Sequence, residues 1–442
     1  MKDKMAKIIS LAKRRGFIFP SSEIYGGFGS SYDFGPLGVE MKRNIKQAWW
    51  IEMIKNHENV FGLDAAILMN PKVWQASGHL TAGFADTLVE CKACHKRFKK
   101  DEITGKCCPE CGGEITEPRK FNLMMKTFTG PLEDEASITY LRAETCQGIY
   151  MNFENVQKSM RLKIPFGVAQ IGKAFRNEIT PKNFIFRTRE FEQMELQWFC
   201  HPREVDKWFD FWKKERINWY GVLGMQQKNL RAIEVPAKER AHYAQKQVDI
   251  EYHFPWGWGE IEGVHNRGDW DLSNHAKHSG KDLRYFDEET QEKYYPHVVE
   301  TSVGVERSLL AFLIDSYQEV KGGRTKTTKA TKEVEVLLKL DKKLAPIKVV
   351  VLPLVRNKPY LVKKAKEVYK LLKPHFVSLY DEVSSIGRRY RRADESGVPY
   401  ALTVDFESLE KEDLTLRDRD TMEQERIAMK DLVKVLKDKL EG

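Results

Sequence analysis

The stretch from 172 to 199 carries the most regular alternation of apolar and polar residues in the chain. Its second half places Met194, Leu196 and Trp198 on one side of an extended strand, and places polar side chains on the other. Turn-forming residues at 179–183 precede this half, so the stretch predicts two strands joined by a loop. One face then belongs to the core and the other is a polar floor. The residues of that floor are Arg187, Arg189, Phe191, Gln193, Glu195 and Gln197.

A floor on which a cation, an aromatic ring and a carboxylate follow one another suits a bound nucleotide. The alternative is a half-exposed hairpin whose charges are only solvated. The choice between them depends on what other segments bring to the same face.

Segment 256–263 also reads as a strand, and Glu260 and Glu262 would share one of its faces. Two carboxylates near aligned arginines suit a Mg²⁺ site, and salt bridges are the alternative.

Segment 296–302 predicts a further strand, with Glu300 and Ser302 on one face. Gly304 then leads into an apolar helix at 307–317. Arg307 lies in its first turn, where charge and helix dipole together favour a phosphate.

The segments before the hairpin are less regular. A helix is predicted at 39–57 and a strand at 60–69 that Asn70 and Pro71 would end. At 140–150, Arg142, Glu144 and Gln147 form either a polar binding turn or a helix cap with exposed charges.

From residue 347 onward short apolar strands alternate with helices, which predicts a separate α/β domain. Four arginines and a tyrosine at 388–392 suit a nucleic-acid backbone and a stacked base. A solvated helix face is the alternative.

Five of the seven cysteines lie between Cys91 and Cys111. Two CxxC pairs, Cys91 with Cys94 and Cys108 with Cys111, have the spacing of a four-thiolate structural Zn²⁺ site, and free thiols are the alternative. Cys107 could replace Cys108, although Cys108 has the better spacing.

Composition changes this picture little. The 442 residues, 41% hydrophobic and 31% charged, describe a globular chain of about three domains at ~150 residues each. A net charge of +9 favours a polyanionic partner. No run approaches the ~20 apolar residues that span a bilayer, and the N-terminus lacks a signal-peptide core, so we expect no membrane association and a cytoplasmic location.

These motifs resemble those of class II aminoacyl-tRNA synthetases, and within them the homodimeric glycyl-tRNA synthetase family. The first motif resembles the helix and strand ending at Pro71, the second combines FRNE at 175–178 with RTREFEQMELQWF at 187–199, and the third is GVERSLLAF at 304–312. YLRAETCQGIY at 140–150 and VVETSVGVER at 298–307 resemble the glycine enzymes in particular. Ala143 and Cys146 stand where that family usually has proline and alanine.

The resemblance implies an α+β fold. It comprises an antiparallel sheet flanked by helices as the catalytic domain (1–345), a zinc-ribbon insertion (88–118) and a C-terminal α/β anticodon-binding domain (346–442). It also implies ATP-dependent activation of glycine to glycyl-adenylate, transfer to tRNA(Gly), ATP with Mg²⁺ and structural Zn²⁺ as cofactors, and a homodimer.

The resemblance further implies a role for each matching residue. Arg176 and Arg307 would be catalytic. The implied ATP-binding residues are Arg176, Asn177, Glu178, Phe186, Arg187, Arg189, Phe191, Glu260, Ile261, Gly304, Glu306 and Arg307. The implied glycine-binding residues are Arg97, Arg142, Glu144, Gln147, Phe191, Gln193, Glu195, Glu300 and Ser302. The implied zinc ligands are Cys91, Cys94, Cys108 and Cys111. The alternatives are a non-catalytic, synthetase-like nucleic-acid-binding protein and a class II synthetase for another amino acid.

Overall fold

Seven strands form the central sheet of this computed structural model, which describes residues 2–81, 84–100, 103, 105–179, 183–322, 324 and 334–441. The predicted loop at 179–183 lies partly outside those residues. Helices α1 to α12 span, in order, Lys2–Arg14, Pro36–Trp50, Pro71–Ala76, Cys146–Met151, Phe153–Met160, Val205–Val222, Trp270–Ser279, Val305–Ser316, Pro359–Leu372, Ile386–Glu395, Glu407–Lys411 and Leu432–Glu441.

Strands β1 to β23 span, in order, Ile18–Pro20, Tyr32–Phe34, Val60–Gly62, Ala85–Glu90, Arg97–Lys99, Arg119–Asn122, Met125–Phe128, Ile138–Leu141, Phe166–Phe175, Glu190–Cys200, Leu230–Glu234, Lys246–Phe254, Gly257–Gly268, Tyr285–Phe286, Lys293–Tyr294, His297–Gly304, Tyr317–Lys321, Val334–Leu338, Val349–Pro353, Ser378–Tyr380, Tyr400–Val404, Asp413–Asp418 and Gln424–Ala428.

The central sheet has the order β11-β12-β13-β16-β10-β9-β3. Its neighbouring strands are antiparallel except β3 and β9, which run parallel. The predicted hairpin is the pair β9 and β10, with Glu195 opposite Gln170 on one side and opposite Ser302 of β16 on the other. The predicted antiparallel sheet with flanking helices is confirmed.

The two faces of this sheet are covered differently. Met194, Leu196 and Trp198 belong to a large apolar core that includes Trp49 of α2 and Leu309 of α8. On the opposite face α4, α5 and α7 cover the far end of β9 and β10. Among the described residues, a cavity lies above the rest of that face, over β10, β13 and β16, which is where the polar floor was predicted.

Two predicted boundaries differ from the structure. The strand after α2 extends only over Val60–Gly62, and α2 continues into a π-helical turn at Ile51–Lys55. Asn70 and Pro71 begin α3 instead of ending a strand, because the Asn70 side chain accepts the Lys72 N–H and proline suits the first helical position.

The C-terminal residues form a second, five-stranded sheet in the order β20-β19-β21-β22-β23. The pairs β19/β20 and β19/β21 are parallel, as expected for strands joined by α9 and α10. The predicted boundary at 345/346 lies between Leu344, which packs in the first core, and Ile347, which packs against this sheet.

The arginine cluster on α10 is largely built into that domain. Arg389 is buried and donates to the carbonyls of Pro353 and Leu354, and Arg392 binds the carboxylate of Asp381. These contacts favour a structural role for both arginines over direct contact with nucleic acid.

The cysteine-rich insertion contains its own three-stranded sheet, in the order β5-β4-β6. The first strand of the insertion, β4, begins directly after Phe84, and its last strand, β6, is followed closely by β7. Both ends of the insertion therefore lie near the central sheet.

Gly38 tests how closely α2 packs against the backbone of Phe17, a residue of the first core. A Cβ atom built there would lie 1.8 Å from the Phe17 carbonyl oxygen, a backbone atom that cannot move aside alone. We expect Gly38→Ala to destabilise the chain by about 1–3 kcal/mol, measured as a lower midpoint of thermal unfolding. Gly387→Ala in α10 is the control, because nothing lies within 4 Å of its built Cβ. Equal midpoints for the two variants would contradict this account.

Candidate active site

A cavity of about 260 Å³ lies on the polar face above β10, β13 and β16. It is open at one side, so a small ligand could enter without unfolding of the sheet. Most of the sequence-predicted site residues line it. They are Glu144, Arg176, Glu178, Phe186, Arg187, Phe191, Gln193, Glu195, Glu260, Glu300, Ser302, Gly304, Glu306 and Arg307.

Glu195 occupies the acidic end of this cavity and is only 2% exposed. The Ser302 hydroxyl donates to its carboxylate at 2.7 Å, the Gln193 amide donates at 3.2 Å, and the Thr145 hydroxyl donates to its other oxygen. Burial, together with the negative charges of Glu300 and Glu144, raises the pKa of Glu195 to about 8. This carboxyl group therefore holds a proton near neutral pH until a cation arrives.

Glu300, the neighbouring carboxylate, is held in the opposite protonation state. Arg267 lies 3.1 Å from it, Gln197 donates to it at 2.8 Å, and His265 lies 2.9 Å away. Burial opposes ionisation, but the charge of Arg267 and the nearby His265 imidazole outweigh it and lower the pKa of Glu300 to about 2. Two adjacent carboxyl groups thus differ in charge because only Glu300 forms a close ion pair with Arg267.

The segment at 140–150 folds into a buried polar turn instead of a helix cap with exposed charges. Glu144 lies 3.3 Å from the His79 imidazole and accepts a 2.8 Å hydrogen bond from Gln147. Arg142 donates to the carbonyls of Ala65 and Lys173. Arg142 and Gln147 do not line the cavity, so they hold its wall in place from behind.

Arg307 defines the opposite, cationic end. Its guanidinium donates to the Phe186 and Glu260 carbonyls at 3.2 and 3.1 Å, and it forms an ion pair with the Glu260 carboxylate at 3.1 Å. It also stacks over the Phe186 ring at 4.5 Å. These contacts fix a positive charge at the N-terminal end of α8, as the sequence predicts.

Arg176 lies between two aromatic rings at the middle of the cavity. Its guanidinium carbon is 5.4 Å from the Phe191 ring centroid and 5.5 Å from that of Phe84. The Ala143 carbonyl accepts its Nε–H at 3.2 Å, which leaves the terminal nitrogens directed elsewhere. Arg187 also reaches the cavity wall.

Strand β13 corrects the expectation that Glu260 and Glu262 share a face. The pairing with β12 shifts between Ile250 and Glu251, where β13 has one extra residue, and this bulge reverses the alternation. Glu260 therefore faces the cavity, while Glu262 is fully buried on the helix face, 2.6 Å from Arg216 of α6. For Glu262 the salt-bridge alternative holds.

Four further predicted residues do not reach the cavity with their side chains. Ile261 is buried in the apolar core, and Arg97 pairs with Glu90 on the surface of the insertion. Arg189 donates to the carbonyls of Glu178 and Gly29, and Asn177 is absent from the lining. Ile261 could meet a ligand only through its backbone, since its side chain is buried.

Sequence reasoning missed Thr145, His265 and Arg267, which support the two carboxylates. The sequence does indicate His265 and Arg267, because polar residues continue at every second position after Gly263 up to the end of β13 at Gly268. Nothing in the local sequence indicates that Thr145 reaches Glu195, fifty positions along the chain.

The four predicted cysteine ligands lie together outside this cavity. Cys91 and Cys111 have their sulfurs 3.4 Å apart, Cys94 and Cys108 have theirs 3.7 Å apart, and all four lie within 4.8 Å of one another. Four thiolates at ~2.3 Å from one tetrahedral Zn²⁺ are separated by about 3.8 Å, so this set fits zinc. Cys107 is exposed and lies outside the group.

Comparison with known proteins first defines the class. The tRNA synthetase class II core domain (G, H, P, S and T) matches residues 128–317, and an anticodon binding domain matches residues 348–439. A solved prolyl-tRNA synthetase from Cryptosporidium parvum, complexed with halofuginone and AMPPNP, shares the fold. Its TM-score is 0.66 at 16% identity, over 98% of this chain and 76% of that one. The fold is therefore that of a class II aminoacyl-tRNA synthetase.

Two relatives with much higher sequence identity are both glycine--tRNA ligases. The glycine--tRNA ligase of Treponema denticola is 50% identical over 100% of this chain and 98% of its own length. That of Streptomyces coelicolor is 48% identical over 100% and 99%. The chain belongs to the glycine--tRNA ligase family.

Proposed function

We propose that this chain activates glycine with ATP to form glycyl-adenylate and then transfers the glycyl group to the 3′ end of tRNA(Gly). One observation carries the proposal, which is that a single cavity joins a cationic, aromatic end to a buried carboxylate end. ATP suits the first end and an α-ammonium group suits the second. Family membership supports the same reaction.

In this proposal ATP lies across the sheet with its adenine stacked on Phe191 and its amino group at Glu178. Arg176 binds the α-phosphate, and Arg187 and Arg307 bind the γ-phosphate. Glu260 is directed into the cavity, with its side chain 46% exposed, and could contact Mg²⁺. Held by Glu260, Mg²⁺ would neutralise part of the negative charge of the phosphates.

The glycine ammonium group is proposed to lie against Glu195, Ser302 and Glu300. Glu144 closes the pocket beside them, and Gln147 and Arg142 hold this wall from behind. Because glycine has no side chain to bind, selectivity must come from excluding larger amino acids at the α-carbon. A rigid wall of hydrogen-bonded carboxylates serves that purpose.

The chemistry requires positioning more than proton transfer. A glycine carboxylate oxygen attacks the α-phosphorus, the bond to the bridging oxygen breaks, and pyrophosphate leaves with that electron pair. The 3′-hydroxyl of tRNA then displaces AMP from the acyl carbon and loses its proton. Fixed cations beside the phosphates stabilise the charge that develops during the first step.

The test is amino-acid-dependent exchange of pyrophosphate into ATP. Exchange with glycine, and none with alanine, serine, proline or threonine, is the expected result. Exchange with another amino acid, or with none in folded protein, would overturn the proposal.

The pH dependence of glycine binding follows from the raised pKa of Glu195. Below pH 8 this group is mostly protonated, and a bound ammonium favours the carboxylate, so glycine binding must release a proton. Affinity for glycine should rise as pH increases from about 6 to 8 and then level off. Calorimetry in two buffers of different ionisation enthalpy measures the released proton. A KM for glycine that is constant over this range would contradict the assignment.

We also propose that the four cysteines bind one structural Zn²⁺. Cys108→Ser should lose the metal and make the insertion sensitive to proteases, since such sites fold only around their ion. Cys107→Ser is the matched control and should keep about one zinc per chain. Metal analysis of the two purified variants decides this, and equal zinc contents would show that Cys108 is not a ligand.

Assembly and location remain proposals from the family resemblance, namely a homodimer in the cytoplasm. Among the described residues, none of the helices is long and apolar enough to cross a membrane. Sedimentation of the purified chain tests the dimer.

A further inference from the structure

The cysteine-rich insertion contacts the nucleotide end of the cavity through one side chain. Lys99, the last residue of β5, is only 12% exposed. Its ammonium group forms an ion pair with Asp86 of β4 and lies 3.8 Å from Oε2 of Glu178. A lysine of the insertion thus faces the carboxylate to which the adenine contact is assigned.

Glu178 has a buried, unpartnered carboxylate oxygen at this point. The residue is 8% exposed and lines the cavity, and its Oε2 has no hydrogen-bond partner within the described parts of the chain. At 3.8 Å the Lys99 ammonium is too distant for a hydrogen bond to Oε2, but it is within ion-pair distance, and Asp86 shares its charge. The lysine can therefore orient the carboxylate by attracting its buried Oε2, without a hydrogen bond to that oxygen.

A second contact joins the root of the insertion to the same site. Phe84, directly before β4, packs against the Arg176 guanidinium on one side and the His79 ring, at 4.5 Å, on the other. His79 in turn contacts Glu144. The position of the insertion is thus coupled to Arg176 and Glu144, which both line the cavity.

We propose that Lys99 is a positioning residue that directs Glu178 toward the base and thereby helps to select adenine. A carboxylate oxygen accepts a hydrogen bond from the 6-amino group of adenine. A base with a 6-oxo group would instead place two acceptors against each other, which costs binding energy. The inference rests on the proposed function and assigns the insertion a task within the same site.

The experiment compares ATP with inosine triphosphate, whose base carries a 6-oxo group. Lys99→Met should raise the KM for ATP about five- to tenfold and reduce the preference for ATP over inosine triphosphate by a similar factor. The KM for glycine should stay within about twofold. Lys99→Arg should restore most of the preference, because it keeps the charge.

Lys92→Met is the matched control, since Lys92 belongs to the same insertion and pairs with exposed Glu114. Zinc content and thermal unfolding of both variants show whether the insertion remains folded. An unchanged ATP preference in a folded, zinc-loaded Lys99→Met variant would overturn the inference. Direct binding of the two nucleotides, measured by calorimetry, decides the question even if no amino acid supports exchange, so the two proposals fail separately.

Discussion

Replacement of Arg176 by alanine should lower the turnover of glycine-dependent pyrophosphate exchange by about 10² to 10³. The guanidinium is held between the Phe84 and Phe191 rings and by the Ala143 carbonyl, so it is oriented before substrates arrive. Negative charge grows on the α-phosphate during attack, and a preoriented cation stabilises that state more than the ground state. The effect should therefore fall mainly on kcat, with a smaller effect on the KM for ATP.

Arg203→Ala is the control for this variant. Arg203 lies just beyond the far end of β10, and its side chain is 80% exposed. The pyrophosphate exchange rate of Arg203→Ala should match that of the unaltered protein. If Arg176→Ala changes only the KM for ATP, the residue binds nucleotide without assisting the chemical step.

Replacement of Glu195 by glutamine should raise the KM for glycine about 10- to 100-fold and leave the KM for ATP within about twofold. Glutamine keeps the size of the side chain and one oxygen that can accept from Ser302 or Thr145, but it cannot become the anion that an ammonium group requires. The variant should also lose the rise in glycine affinity between pH 6 and 8, because the titrating group is gone.

Glu190→Gln on the same strand is the matched control. Glu190 is half exposed and pairs with Lys173 at the surface, so neither KM should change. An equal effect of Glu195→Gln on glycine and ATP would indicate general damage to the sheet and would contradict the specific role.

The sequence predicts those features whose cause is local. The alternation from Gln193 to Trp198 predicts both faces of β10, because successive side chains of a strand must point to opposite sides. The Cys-x-x-Cys spacing predicts the cysteine cluster for a similar reason, since a short knuckle brings its two sulfurs together by itself. Gly304 and Arg307 likewise predict a cationic helix start from neighbouring positions alone.

Several features were decided by tertiary structure instead. The bulge in β13 turns Glu260 into the cavity and Glu262 toward Arg216, and it arises from register with β12 that no alternation within β13 reveals. The difference in protonation between Glu195 and Glu300 depends on Arg267, which the sheet brings to only one of them.

The sequence alone therefore determined which helices and strands form and which residue types lie on the polar floor, because hydrophobic periodicity and turn chemistry act over a few residues. Only the tertiary structure decided which of those residues share a cavity, which carboxyl group holds a proton, and that Lys99 lies beside Glu178. Those outcomes depend on strand register and on contacts between distant segments, and the energy of such contacts exists only after the core has packed.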